Sequence, residues 1–353
     1  MSTFGYPVGT GRRPPWSRSW TVTTINLAKR QFSFLFRRHP GGVRIQRKSP
    51  GPLRPLSVDD FPLIVITHND MRLIASFFQH YRSMGVTRFI CLDDASTDGT
   101  ADFILEQPDT ELFTSNVRYK DAERGKIWRE QLFAVFGYDR WYLNVDSDEY
   151  FLYETIASET IGDFTRRLDS SGVSRVPAPM LDLYPVGDVS RAVFSGANGA
   201  MPWEVATHLD GAGYTAKAFK TGISIYGGVR SRVFRAHGEL IKYPLIRWDR
   251  YCSLGRTIHR PRPSLYNFPP ALGVLLHFKI FSDLRETAVT AVNEGQHYKG
   301  AKIYRAVLDR MEALGAFDLA YEDSIPFVGV DDLIHRGFML PLEIHRHSGG
   351  HGQ

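Results

Sequence analysis

The sequence predicts an α/β protein: a mostly parallel sheet with helices on both faces, then a loop-rich region and C-terminal helices. Three observations carry that expectation. Apolar, β-branched runs alternate with segments of helical spacing from Phe61 to Val145. The alternation weakens after residue 150, where Pro and Gly become frequent. Helical spacing returns at Asp283–Glu294 and at Lys302–Leu314.

The first predicted strand is Leu63–Thr67, a short run with four β-branched residues. Asp70–Gly85 follows as a helix, with Leu73, Ile74, Phe77, Phe78, Tyr81 and Met84 on one face and Gly85 as its stop. Arg88–Leu92 is the second strand. Ser96, Thr97 or Asp98 can cap the next helix, Ala101–Gln107. Glu111–Val117 is the third strand and Glu123–Tyr138 a helix with Ile127, Leu132, Val135 and Phe136 inward. Trp141–Val145 is the fourth strand and runs directly into Asp146-Ser147-Asp148-Glu149. Short strands and long loops are expected over 172–280. The tail from Ile344 is Gly/His-rich and expected to fray.

The net charge of +5 on 353 residues is unevenly spread. Residues 1–58 hold eleven Lys and Arg and no acid, which leaves 32 basic against 38 acidic residues in the body. Four segments follow: a basic, poorly ordered arm (1–58), a first half (59–150), a second half with the C-terminal helices (151–320), and a tail (321–353). Trp20–Arg38 has the makings of a short amphipathic helix. The arm reads either as a plain extension or as an electrostatic tether to an anionic membrane surface or polymer. Nothing marks a specific nucleic-acid fold. On either reading, deleting residues 1–55 is expected to spare the chemistry of the body. Two cysteines, no spanning run and no signal peptide predict a cytoplasmic protein, soluble or peripheral at the inner face of the membrane.

Right-handed crossovers place the carboxyl ends of parallel strands on one edge, where open α/β sheets bind ligands. Thr67-His68-Asn69, Asp93-Asp94 and Asp146-Asp148 all lie just past strand ends, so they are expected to converge. Strand alternation points Asp146 and Asp148 to one face and Glu149 to the other. Two carboxylates at a strand end repel unless a cation compensates, and Mn²⁺ or Mg²⁺ suits such oxygen ligands. The plainer reading is an exposed acidic turn. Asp93-Asp94 could accept hydrogen bonds from a ribose or base, beyond the helix capping that explains part of the motif.

Together these pieces resemble the glycosyltransferase family 2 superfamily, with its Rossmann-like GT-A fold. The matching residues are Ile64-Val-Ile-Thr-His-Asn69, Leu92-Asp-Asp-Ala-Ser-Thr-Asp-Gly-Thr100 and Trp141-Tyr-Leu-Asn-Val-Asp-Ser-Asp-Glu-Tyr150. Phe77–Gly85, Met180–Pro185, Gly227–Phe234, Lys242–Trp248 and Leu275–Lys279 are similar to its soluble bacterial group. The resemblance covers about residues 60–315 and not the arm.

The resemblance implies metal-dependent transfer of a sugar from a nucleotide-sugar donor to a hydroxyl of a glycan or glycoconjugate, more in keeping with inversion than retention, as in polysaccharide biosynthesis. It implies that Thr67, Asn69, Asp93, Asp94 and Asp146 face the donor, and that Asp146, Asp148 and His277 hold the metal. His277 reads equally as a core histidine. Arg230, Arg232 and Lys279 could neutralise phosphate or simply be solvated, and Gly227-Gly228 could let backbone approach a ligand. The family's acidic pair near the acceptor is missing, apart from the late Glu322-Asp323. Asp182, Glu204 and Asp249 remain as alternative bases. The rival functions are a nucleotidyltransferase, for which the first strand lacks a Gly-rich basic loop, and a non-catalytic glycan- or surface-binding protein, against which the intact Asp146/Asp148 pair counts.

Overall fold

The computed structural model of the chain describes residues 2–9, 16, 42–255, 258–296, 298–314 and 318–342. The Trp20–Arg38 segment and the tail from Ile344 lie outside them.

The chain begins with β1 (Ser2–Tyr6) and, after the undescribed stretch, β2 (Ile45–Arg47). The predicted alternation then follows: β3 (Pro62–Thr67), α1 (Met71–Ser83), β4 (Arg88–Asp93), α2 (Thr100–Leu105), β5 (Thr110–Ser115), α3 (Lys126–Phe136) and β6 (Arg140–Asp146). The second half adds β7 (Glu149–Leu152), α4 (Ile161–Ser170), β8 (Arg175–Asp182), β9 (His208–Asp210), β10 (Tyr214–Phe219), β11 (Gly222–Tyr226), α5 (Gly228–Arg232), β12 (Ile241–Trp248) and β13 (Val274–His277). The chain closes with α6 (Leu284–Glu294), α7 (Tyr298–Leu314), β14 (Ser324–Pro326) and α8 (Val330–His335).

Nine strands form one sheet in the order β2-β5-β4-β3-β6-β12-β8-β13-β7. Neighbours from β5 to β6 are parallel, as expected. Beyond β6 the sheet is mixed: β12 opposes both β6 and β8, β13 runs with β8, and β7 opposes β13. The two halves read from the sequence therefore share one sheet, which is less parallel than predicted. The Pro- and Gly-rich texture after residue 150 reflects antiparallel returns, which need no crossover helix.

Side-chain alternation along the central strands splits the core in two. Leu63, Val65, Phe89, Cys91, Leu143 and Val145 pack towards α1 and α4, whereas Ile64, Ile66, Ile90, Leu92 and Tyr142 pack towards Trp128, Leu132 and Phe133 of α3. Both faces are covered by helices, so the central strands read as continuous apolar runs. A third cluster joins Leu284 and Ala288 of α6 and Val307 of α7 to Val229 and Phe234.

Two described pieces of the arm are built into the fold. β1 pairs antiparallel with β10, and the Tyr6 hydroxyl donates to the carbonyl of Phe338 at 2.8 Å. β2 pairs with β5, and Arg47 meets the buried Glu111 at 2.6 Å, with Arg54 at 3.6 Å. Basic residues of the arm thus join Arg88 in neutralising a buried acid of the body, and the described parts of the arm include two strands of the fold. The nominal tail likewise contains β14, paired with β9, and α8. Among the described residues, no helix is long and apolar enough to cross a membrane.

Candidate active site

Register decides what meets at the sheet edge. Thr67 on β3 lies beside Asp93 on β4, and Ile66 lies beside Asp146 on β6. The three predicted strand ends therefore do converge. They open on a cleft of about 440 Å³ whose floor includes Thr67, Asn69, Asp94 and Asp148. Its roof is α6, which presents Glu286, Thr287, Thr290 and Glu294.

The two acids after β4 divide their labour. Asp93 is turned into the loop and accepts from the Ser96 amide at 2.9 Å and the Thr67 hydroxyl at 3.3 Å. Asp94 faces the cleft, where it accepts from Arg118 Nε at 2.8 Å and from the Tyr119 amide at 3.2 Å. Asn69 ties the two loops together, its side-chain oxygen accepting from the Thr97 amide at 2.8 Å. α2 starts after Gly99 without a side-chain cap, and Asp98 just before it accepts from the Thr100 amide at 3.0 Å.

The Asp146–Glu149 turn corrects the alternation argument. β6 ends at Asp146, and Ser147-Asp148 turn the chain into β7, so Asp146 and Glu149 share a partner and Asp148 points elsewhere. That partner is Lys242. Because β12 runs antiparallel to β6, its beginning lies beside the end of β6. The Lys242 ammonium bonds to Asp146 and lies 2.5 Å from Glu149, and the buried Arg129 guanidinium takes the other oxygen of Asp146. Burial would push the Asp146 carboxyl up, but Lys242 and Arg129 outweigh it and hold it well below the usual range. Asp146 is therefore already compensated by two protein cations rather than standing free for a metal.

Arg129 reaches Asp146 because α3 starts at Gly125, at φ +74°. A Cβ there would lie 2.4 Å from Ile66 Cδ1 and 2.8 Å from Arg129 Nη1, so only glycine fits.

Asp148 lines the cleft, with Lys279 at 3.3 Å and His277 Nε2 at 3.5 Å. Burial raises its pKa, but Lys279 and His277 dominate and keep it well below the ordinary value. Glu149 stays above its ordinary value because it is fully buried. Donor atoms of Asp148, Glu149 and His277 lie within 4.8 Å of one another. Two carboxylates and an imidazole suit a divalent cation such as Mn²⁺ or Mg²⁺. Glu149 shares the Lys242 ammonium with Asp146, and of these two carboxylates it is Asp146 that lines the cleft.

Other expected site residues lie elsewhere. Asp182 is buried, bonded to His277 Nδ1 at 2.5 Å and Arg230 Nε at 2.6 Å, so it is no free base. Arg232 is held by Asp210 at 2.8 Å and stacks on Tyr321, away from the cleft. Glu204 accepts from the Met201 amide at 3.1 Å, and Asp249 from the Tyr251 amide at 2.7 Å; neither lines the cleft.

Several residues in or behind the cleft were given no role of their own by the sequence reading. Asp70 accepts from the His68 amide at 2.9 Å, and burial pushes its carboxyl up to about 7. The roof is fastened at both ends: Arg72 pairs with Asp283 before α6, and His68 Nε2 meets Glu294 at 3.0 Å at its far end. The legible signals were lone charges in apolar surroundings. Arg129 interrupts the buried face of α3, and Lys242 interrupts the apolar run of β12.

No protein-family model and no curated protein matches the chain. Among solved structures it is similar to UDP-glucose pyrophosphorylase from Acinetobacter baumanii, at 9% identity, over 79% of this chain and 92% of that one, with a TM-score of 0.24. A likeness of that size leaves fold and chemistry to be argued from this chain's own residues.

Proposed function

We propose that this chain is a GT-A glycosyltransferase that moves a sugar from a nucleotide-diphosphate sugar to a hydroxyl of a glycan or glycoconjugate, with inversion. The observation that carries the reading is the convergence of Asp94 and Asp148, with Lys279 beside it, in one roofed cleft at the carboxyl ends of β3, β4 and β6. In open α/β sheets this edge is where nucleotides bind.

The roles follow from charge and position. Asp94, fixed by Arg118 and the Tyr119 amide, accepts hydrogen bonds from the nucleoside. Lys279 offers its ammonium to the diphosphate, replacing part of its pairing with Asp148. The roof excludes water from the anomeric centre. Asp148, Glu149 and His277 would hold a divalent Mn²⁺ or Mg²⁺, which when bound neutralises diphosphate charge on the leaving group. Asp70, the cleft carboxyl raised to about 7, can exchange a proton near neutrality, as a general base requires.

The test is release of nucleoside diphosphate from a panel of nucleotide sugars in the presence of Mn²⁺. One donor is expected to be turned over, and D148N to lower that turnover about a hundredfold, as loss of a transition-state charge partner does. Unchanged turnover in D148N would refute the assignment. Pyrophosphate-dependent release of a nucleoside triphosphate would point to nucleotidyl transfer instead.

A further inference from the structure

Asp182 and Arg230 entered the sequence reading as a catalytic base and a phosphate ligand. The fold gives them a different relation. β8 and β13 are parallel neighbours, in a register that sets His277 directly beside Asp182. Asp182 accepts from His277 Nδ1 at 2.5 Å with one oxygen, and from Arg230 Nε at 2.6 Å with the other. Asp182 and His277 are both more than nine-tenths buried, and neither lines the cleft. With Nδ1 engaged, the ring turns Nε2 towards Asp148, which does line the cleft. The Asp148 carbonyl also accepts from the Phe278 amide at 3.0 Å, so the last side chain of β13 and the backbone just beyond it both brace that turn.

Arg230 is held from behind. Gly227 and Gly228, which suggested close approach to a ligand, approach this chain's own backbone instead. A Cβ on Gly227 would lie 2.3 Å from the Gly213 carbonyl oxygen, and Gly227 sits at φ +127°. The glycines let α5 start against Gly213 and Tyr214, which aims Arg230 at Asp182.

We propose that Asp182, backed by Arg230, is a positioning residue that fixes the His277 ring with Nε2 towards Asp148 and thereby sets the Asp148 carboxylate in the cleft. The proposal rests on the reading of Asp148 as the diphosphate-side carboxylate. It makes Arg230–Asp182–His277–Asp148 one chain of alternating charge running from α5 to the cleft. Asp182 touches no substrate and takes no proton from the acceptor.

Two variants test it. D182N keeps the shape of the side chain and removes its charge. D182N/R230Q also removes the guanidinium that the first variant leaves uncompensated in the interior, so folding is protected. The first readout needs no ligand: the His277 Nδ1–H proton resonance, assigned by its loss in H277Q. It is expected far downfield in the wild type and upfield or absent in both variants. The second is Mn²⁺ affinity by electron paramagnetic resonance, with the urea midpoint as a check on folding. A 10–100-fold weaker Mn²⁺ affinity is expected in the double variant, the usual effect of losing an outer partner of a ligating histidine. An unmoved resonance, or a moved resonance with unchanged Mn²⁺ affinity, overturns the proposal. If the wild type binds neither Mn²⁺ nor nucleotide, the glycosyltransferase reading fails, and the resonance alone still decides whether Asp182 positions His277.

Discussion

Replacing Lys242 by Met tests whether the acidic turn is held by protein charge. The methionine keeps most of the aliphatic stem and removes the ammonium. In the wild type that ammonium lies 2.5 Å from Glu149, which is 1% exposed, and bonds to Asp146. Removing one member of a buried ion pair typically costs about 3–5 kcal/mol, because a charge is left buried without its partner. Asp146 keeps Arg129, so the orphaned charge is that of Glu149. Burial already holds the Glu149 carboxyl above its ordinary value, and loss of Lys242 raises it further. The sign follows: in the variant Glu149 stays protonated in the folded state at low pH and must ionise as pH rises. The penalty is therefore largest at pH 8, and each pH unit below the raised Glu149 value returns about 1.4 kcal/mol. Urea unfolding followed by tryptophan fluorescence reads this directly, with an expected midpoint shift of about 1 M at pH 8. A loss below about 1 kcal/mol, or the same loss at pH 5 and pH 8, would refute the argument.

Removing residues 1–55 takes away β1, β2 and the Arg47 and Arg54 partners of Glu111. It is expected to cost about 2–3 kcal/mol by urea unfolding, since Glu111 loses two cations but keeps Arg88 of the body at 3.6 Å. An unchanged midpoint would refute the structural role given to β1 and β2. E294Q breaks the His68–Glu294 fastening of the roof, a half-exposed pair worth up to about 1 kcal/mol. Amide exchange over residues 284–294 should then quicken by up to about fivefold; unchanged exchange would mean that the His68–Glu294 pair does not hold α6. Asp70 is raised to about 7, so its folded state binds more protons than the unfolded chain from about pH 4 upward. Its contribution to stability is lost as pH rises to about 7, and D70N should flatten that limb of the melting-temperature profile. A D70N profile parallel to the wild type would show that another group titrates there.

Much of the sheet edge was legible because it depends on short-range pattern. β3, α1, β4, α2, β5, α3 and β6 fall close to their predicted places, since apolar period and strand length are local properties. Parallel pairing then brings Thr67, Asp93 and Asp146 together whatever their separation in sequence. The candidate site itself was legible only in part. Asp94 and Asp148 line the cleft, as a strand-end argument requires, but Asp93 serves its own loop, and Asp182 and Arg230 serve His277.

What the sequence determined alone was the class of fold, the edge of the sheet that matters and the acids that end its strands. Tertiary structure decided which of those acids remain available. Lys242 is 96 residues from Asp146, and it reaches that carboxylate only because β12 returns antiparallel to β6. No local periodicity encodes that return, since an apolar strand reads the same in either direction. The arm shows the same limit. Arg47 and Arg54 find their charge in Glu111, a partner that only the pairing of β2 with β5 supplies, while Arg12, Arg13, Arg18, Lys29, Arg30, Arg37 and Arg38 lie outside the described residues.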